Sequence, residues 1–252
     1  MQNHNVIFKF PSGTRQVAAQ LALTAGSCTV LAGKNGSGKT TVLRALAGAL
    51  APEGGDLSLV RPVLAFTDIE RQMHLRMTAV ENLQYLSALF GQPVRRREAR
   101  DALLRVSLDD QADLLAARLS KGQKKRLVMA MICVAPWGTV LLDEPTNGLD
   151  REGIDQFLVI AREAMSRHTT VVLTSHEPRV LRELADNVLI HHNNGAFISA
   201  DVAALKMTEL FVITFRDGSV TETSGDQIVQ TITAHGSDIT RLETRGMKIE
   251  PV

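Results

Sequence analysis

Residues 33–40 read Gly33-Lys34-Asn35-Gly36-Ser37-Gly38-Lys39-Thr40, and they restrict the fold more than any other stretch of the chain. Cys28-Thr29-Val30-Leu31-Ala32 just before them is β-prone, and residues 41–47 just after them place Val42, Leu43 and Leu46 at helical spacing. A strand, a glycine-rich loop and a helix, in that order, form the context that G-x-x-x-x-G-K-[ST] requires. Glycines let the backbone wrap without Cβ clashes. The loop N–H groups then converge at a helix N-terminus, where the dipole favours anions. In such a loop Lys39 supplies a point charge for β- and γ-phosphates, and the Thr40 hydroxyl can ligate Mg²⁺. A glycine turn that merely caps a helix is the competing explanation; all four fixed positions in this context speak against it.

Around this loop, strand-like and helix-like segments alternate, which favours an α/β fold with a mainly parallel sheet. Residues 6–10 and 20–23 read as strands ahead of the loop, and 63–66 as another after the first helix, which ends near Gly48 with Pro52 beyond it. From about 69 to 136 the pattern turns helical (79–90, 94–106 and from 121 onward), as expected of a helical subdomain inserted into the core. Core strands resume at 139–142 and 170–174, around a helix of about 151–167. Beyond about residue 201 short strands and polar turns take over. Asp217-Gly218 between β-prone runs is a hairpin signal, and residues 240–249, split by Gly246, read as a second hairpin. The expected division is a main domain of residues 1–205 and a small C-terminal α+β appendage of 206–252.

The chain has 252 residues, room for one large domain or one plus an appendage. A net charge of +1 argues against a nucleic-acid binder. The one dense basic run, Arg95-Arg96-Arg97, is followed by Glu98, Arg100 and Asp101 and reads as a solvated helix face. No stretch approaches the roughly 20 apolar residues of a membrane helix, and the N-terminus lacks a basic-then-apolar signal pattern. Cys28 and Cys133 lie in apolar runs without metal spacing, and are read as buried thiols of a reducing cytoplasm.

Three further segments carry chemistry. Val140-Leu141-Leu142-Asp143-Glu144 is an apolar strand ending in two acids, at the strand end where α/β sheets bind ligands. On an extended backbone the two would point to opposite sides. Asp143 would then hold Mg²⁺ and Glu144 would polarise an attacking water; a pair of solvated acids is the plain alternative. Leu119-Ser120-Lys121-Gly122-Gln123 precedes a helix with Leu127, Met131 and Cys133 on its apolar side. Ser120 and Gln123 form a capping-box pattern, and Gly122 in the first turn also makes the helix start an anion site. His176 follows the strand 171–175, where it can hydrogen-bond a phosphate or a water. His168, His191 and His192 lack such company and are assigned nothing.

In this order the segments resemble the nucleotide-binding domain of ATP-binding-cassette proteins, over roughly residues 5–200. Gly33 to Thr40, with Thr41 behind, looks like the Walker A motif. Leu119 to Gln123 looks like the family's signature, which is far more specific than Walker A, and Leu141 to Glu144 looks like Walker B with its catalytic glutamate. Gly148-Leu149-Asp150 looks like the D-loop, His176 like the switch histidine, and Phe10 is spaced like the aromatic that stacks on adenine. The resemblance implies a P-loop NTPase core with an antiparallel β subdomain and an inserted helical subdomain, binding ATP and Mg²⁺. It implies a head-to-tail dimer with two ATP molecules between protomers. Ser120, Gly122 and Gln123 of one protomer would then meet the nucleotide held by Lys39 of the other.

The sequence departs from the family pattern twice. Lys121 replaces the signature's commonest glycine. Where the Q-loop glutamine is expected, Thr67-Asp68-Ile69-Glu70-Arg71-Gln72 offers Asp68 as the substitute metal-sensing residue, with Glu70 and Gln72 as alternatives. The implied function is the ATPase subunit of a membrane transporter of exporter-type likeness. Its expected place is peripheral, on the cytoplasmic face of the membrane, with separate membrane-spanning subunits and a second cassette, identical or different, as partners. No nucleic-acid partner is expected. A soluble cassette ATPase of DNA repair, translation or cluster assembly is the alternative.

Overall fold

The computed structural model describes residues 2–9, 16–33, 36–50, 59–68, 72–191, 196–200 and 205–251. Phe10, Asn35 and Glu70 lie outside the described residues. Strands β1 (Gln2–Lys9), β2 (Gln16–Leu23) and β3 (Cys28–Ala32) lead to helix α1 (Lys39–Leu46) and strand β4 (Val63–Phe66). A helical stretch follows: α2 (Ala79–Leu89), α3 (Arg96–Arg105) and α4 (Lys121–Val134). Then come β5 (Thr139–Asp143), α5 (Arg151–Ser166), β6 (Thr170–Thr174), α6 (Pro178–Glu183), β7 (Asn187–His191) and β8 (Ala196–Ala200).

These eight strands form one sheet in the order β1-β2-β8-β7-β3-β6-β5-β4. From β7 to β4 all neighbours are parallel. β1 pairs antiparallel with β2, as β8 does with β7. The parallel strands are apolar at consecutive positions because both faces must be covered. Alternation splits their side chains between two cores. Val30, Phe66, Val140, Leu142 and Leu173 enter one; Leu31, Ala65, Leu141, Val172 and Leu189 enter the other. Val42, Leu43 and Leu46 of α1 close the second core, and α2 to α6 close the first. Each fully buried Leu or Val in these layers contributes about 1.5–3 kcal/mol. The layers fix the sheet rigidly enough for the loops at its C-terminal edge to hold a site.

In the helical layer α4 is buried continuously from Leu127 to Ile132, as suits a helix enclosed by protein. Asn82 in α2 is fully buried. It accepts from the His74 N–H at 2.8 Å and donates to the carbonyls of His74, Met77 and Thr78 at 3.0–3.2 Å. The arginine run behaves as expected: Arg96 pairs at the surface with Asp113. Cys28 is buried, but Cys133 only partly so.

A separate three-stranded antiparallel sheet, β10-β9-β11, is built from β9 (Leu205–Phe215), β10 (Val220–Ser224) and β11 (Ile239–Pro251), with α7 (Gly225–His235) against β9 and β10. The hairpin at Asp217-Gly218 forms, and the Phe215 N–H donates to the Ser219 carbonyl at 2.9 Å. The second expected hairpin does not. Residues 239–251 run as one strand along β9, and the register shifts between Thr244 and Gly246. Gly246 accommodates a bulge there, where a turn was read. Helix α7 supplies the helical part of the expected α+β appendage, although Thr231 and Thr233 interrupt its pattern. Their hydroxyls bond back to the Gln227 and Val229 carbonyls at 3.1 and 2.7 Å.

Candidate active site

The phosphate-type loop leaves β3 at Ala32 and enters α1 through Gly38, whose φ of 103° is a conformation L side chains rarely adopt. At Gly33 a Cβ would stand 3.0 Å from both the Ser37 hydroxyl and His191 Cβ, so the turn is closely backed. Gly38 offers no side-chain cap to α1, and the first N–H groups of a helix lack intrahelical partners. The start of α1 therefore presents donors into a cavity of about 260 Å³ lined by Gly36 to Thr41, Asp143 and Glu144. Buried Ser37 brings a hydroxyl without a hydrogen-bond partner among the described residues. Lys39 donates to the Gly33 carbonyl at 2.7 Å. Burial lowers its pKa from the ordinary ammonium value, against the opposing pull of Glu144 and Asp143.

The acids reach this cavity through strand register. Asp143, the last residue of β5, pairs with Thr174, the last of β6. One oxygen of Asp143 accepts from the Thr174 hydroxyl at 2.6 Å and the other from the Thr40 hydroxyl at 2.7 Å. Glu144 does not continue the extended strand, so alternation is not what separates the two acids. With φ at 47° the chain turns left-handed there, a strain of about 1–3 kcal/mol that surrounding contacts must hold. Thr174 Oγ1 accepts the Glu144 N–H at 2.8 Å, and Lys125 donates to the Glu144 carbonyl. The carboxylate meets His176, whose Nδ1 lies 3.0 Å from Glu144 Oε2. That hydrogen bond raises the His176 pKa above the ordinary imidazole value, against partial burial.

Thr40 and Asp143 together present hard oxygen donors of the kind Mg²⁺ prefers. Among the described residues no cluster of three or more His, Cys, Asp or Glu could hold a metal. The set therefore fits an ion completed by phosphate and water oxygens, not one held in a protein cage.

The sequence-derived residues divide into two groups. Gly33, Gly36, Ser37, Gly38, Lys39, Thr40, Thr41, Asp143, Glu144 and His176 converge on the loop. Ser120, Gly122 and Gln123 sit at the start of α4, and none of them lines the loop cavity. The capping box there is complete: the Gln123 N–H donates to Ser120 Oγ at 3.2 Å and the Ser120 N–H to Gln123 Oε1 at 2.9 Å. Asp150 caps α5 through the Gly153 N–H at 2.8 Å. Gln72 is engaged at the end of β4, accepting from the Thr67 and Asp68 N–H groups and donating to the Ala65 carbonyl. Asp68, by contrast, lines a second cavity of about 370 Å³ with Lys121, Lys125, Asp143 and Glu144. Thr174 and Lys125 were missed. Thr174 reads as a β-branched strand residue, and Lys125 as one of three consecutive cations, Lys124 to Arg126.

A family model for ABC transporters matches residues 18–147. The chain belongs to the ABC transporter family. The cytochrome c biogenesis ATP-binding export protein CcmA of Roseobacter denitrificans is 34% identical over 161 residues, 64% of this chain and 76% of that protein. The macrolide export ATP-binding/permease protein MacB of Salmonella typhimurium is 31% identical over 209 residues. That match takes in 74% of this chain but only 32% of MacB, so the chain spans about a third of that relative's length. A solved dimeric ATP-binding cassette in a post-hydrolysis state, bound to ADP and Pi, shares the fold with a TM-score of 0.67 at 19% identity. It covers 80% of this chain and 99% of its own. A putative metal-chelate type ABC transporter in an inward-facing conformation matches with a TM-score of 0.65 at 21% identity, over 88% and 95%. The cassette described here is thus an ATP-binding ABC ATPase, and none of its described helices is long and apolar enough to cross a membrane.

Proposed function

We propose that this cassette closes head to tail with a second cassette around two ATP molecules, and that hydrolysis reopens the pair to drive transport through membrane-spanning subunits. The observation that carries the reading is the hydrogen-bonded chain from Thr40 through Asp143 and Thr174 to Glu144 and His176 beneath the loop. The first-turn N–H groups of α1 and the Lys39 ammonium bind and orient phosphates. Thr40 and Asp143, with Asp68 facing the neighbouring cavity, are the residues that would hold Mg²⁺, which when bound neutralises phosphate charge. Glu144 accepts the proton of the attacking water, and His176 orients its carboxylate.

Ser120 and Gly122 stand away from their own loop, so they serve the loop of the second cassette, and Gln123 keeps that helix start capped. Asp150 lies in the turn that would meet the partner; Phe10 and Asn35 complete the proposed nucleotide contacts. The cassette would sit on the cytoplasmic face of the membrane. Residues 1–205, with a helical subdomain of about 69–136, form the proposed ATPase domain, and 206–252 the appendage.

Two variants test this. Glu144→Gln is expected to bind ATP, lose about 10²–10⁴-fold in turnover and elute as an ATP-dependent dimer. Ser120→Arg is expected to bind ATP as a monomer without dimerising. Near-normal turnover of the first, or dimerisation of the second, contradicts the shared site.

A further inference from the structure

Glu144 combines a left-handed backbone, φ 47°, with a following Pro145, which has no N–H with which to close the turn. Three other contacts fix its peptide groups. The Thr174 hydroxyl takes the N–H at 2.8 Å. The carbonyl accepts from the Asn147 N–H at a long 3.3 Å and from the Lys125 ammonium. A charged donor is roughly twice as strong as a neutral one, so Lys125 is the principal restraint on that carbonyl. Lys125 belongs to α4, the helix whose first residues follow Ser120. It also borders the 370 Å³ cavity shared by Asp68, Asp143 and Glu144.

We propose that Lys125 is a positioning residue for hydrolysis: by gripping the Glu144 carbonyl it fixes the turn that aims the Glu144 carboxylate, and it ties that aim to the seating of α4. The inference rests on the reading of Glu144 as proton acceptor. It adds a link within one chain. Any contact that shifts the start of α4, including a second cassette meeting Ser120, pulls on the Glu144 peptide through one side chain. The carboxylate itself remains free to meet His176 and water, because Lys125 holds the backbone and not the acid.

The test uses the full chain with saturating ATP and Mg²⁺, and compares Lys125→Met, Lys125→Arg and Glu144→Gln. Lys125→Met removes the donor but keeps the length. It is expected to lower kcat by about tenfold or more with KM for ATP within about twofold, the pattern of a lost transition-state interaction. Lys125→Arg retains a charged donor and is expected to recover most of the rate. In the nucleotide-free chain the His176 ring resonance, which reports contact with the Glu144 carboxylate, is expected to move in Lys125→Met as it does in Glu144→Gln. A purely structural lysine would lower thermal stability and leave both the resonance and the kcat of folded protein unchanged. Wild-type kcat in Lys125→Met, an unmoved resonance, or no recovery with arginine overturns the proposal. If Lys125→Met is normal while Glu144→Gln is dead, only the role of Lys125 fails. If Glu144→Gln itself turns over normally, the reading of Glu144 fails.

Discussion

Thr174→Val strips one hydroxyl from a fully buried side chain while keeping its shape. That hydroxyl donates to Asp143 at 2.6 Å and accepts the Glu144 N–H at 2.8 Å. Losing a hydrogen bond to a carboxylate costs about 1.5–3 kcal/mol, and stranding an N–H about 1–3 kcal/mol. Thr40 still donates to the other Asp143 oxygen, and the site opens onto a cavity. The lower parts of both ranges therefore apply, giving about 2.5–4 kcal/mol. For a chain of this length roughly 2–4 °C of melting temperature accompanies each kcal/mol, so a fall of about 5–16 °C is expected. Turnover should fall at least about tenfold, because the Glu144 turn loses one of its holders. Calorimetry and a phosphate-release assay measure the two effects. Thr174→Ser, which keeps the hydroxyl, should restore most of both. A valine variant that melts within about 1 °C of wild type and hydrolyses ATP normally refutes the reasoning.

The His176–Glu144 contact predicts a pH dependence. The folded pKa of His176 is raised, so its contribution to stability is fully present below the ordinary imidazole value and is lost as pH rises through the raised one. The ring is half exposed, which keeps the contribution small. Glu144→Gln should bring the NMR titration midpoint of His176 back down, and an unmoved midpoint would contradict the contact. Asn82→Ala should destabilise the helical layer by about 1–3 kcal/mol, since it strands the buried His74 N–H, while the carbonyls of His74, Met77 and Thr78 each keep a backbone donor. Urea denaturation with an unchanged midpoint would count against that account.

The parts of the molecule legible in the sequence are those whose partners lie nearby along the chain. The strand, loop and helix around Gly33 to Thr40 carry their own geometry in glycines, a lysine and a hydroxyl. Ser120 and Gln123 announce a helix start because both ends of the capping box lie within one turn. Thr174 was illegible because its bond to Asp143 spans 31 residues and exists only once β5 and β6 are neighbours. Lys125 was hidden in a basic run that local reasoning assigns to solvent. The turn at Glu144 runs against the extended bias expected before a proline, so only contacts from β6 and α4 reveal it. Gly246 misled in the opposite direction, since a glycine in a β-prone run marks a bulge as readily as a reversal.

The pairing of Asp143 with Thr174 means that this chemistry is only as good as the step between two neighbouring strands. Sliding one past the other by a single residue would turn every side chain of the slipped strand over, carrying Thr174 away from the acids. A variant altered deep in the sheet could keep its helical content and a sharp melt yet be catalytically silent, with every motif residue still in place.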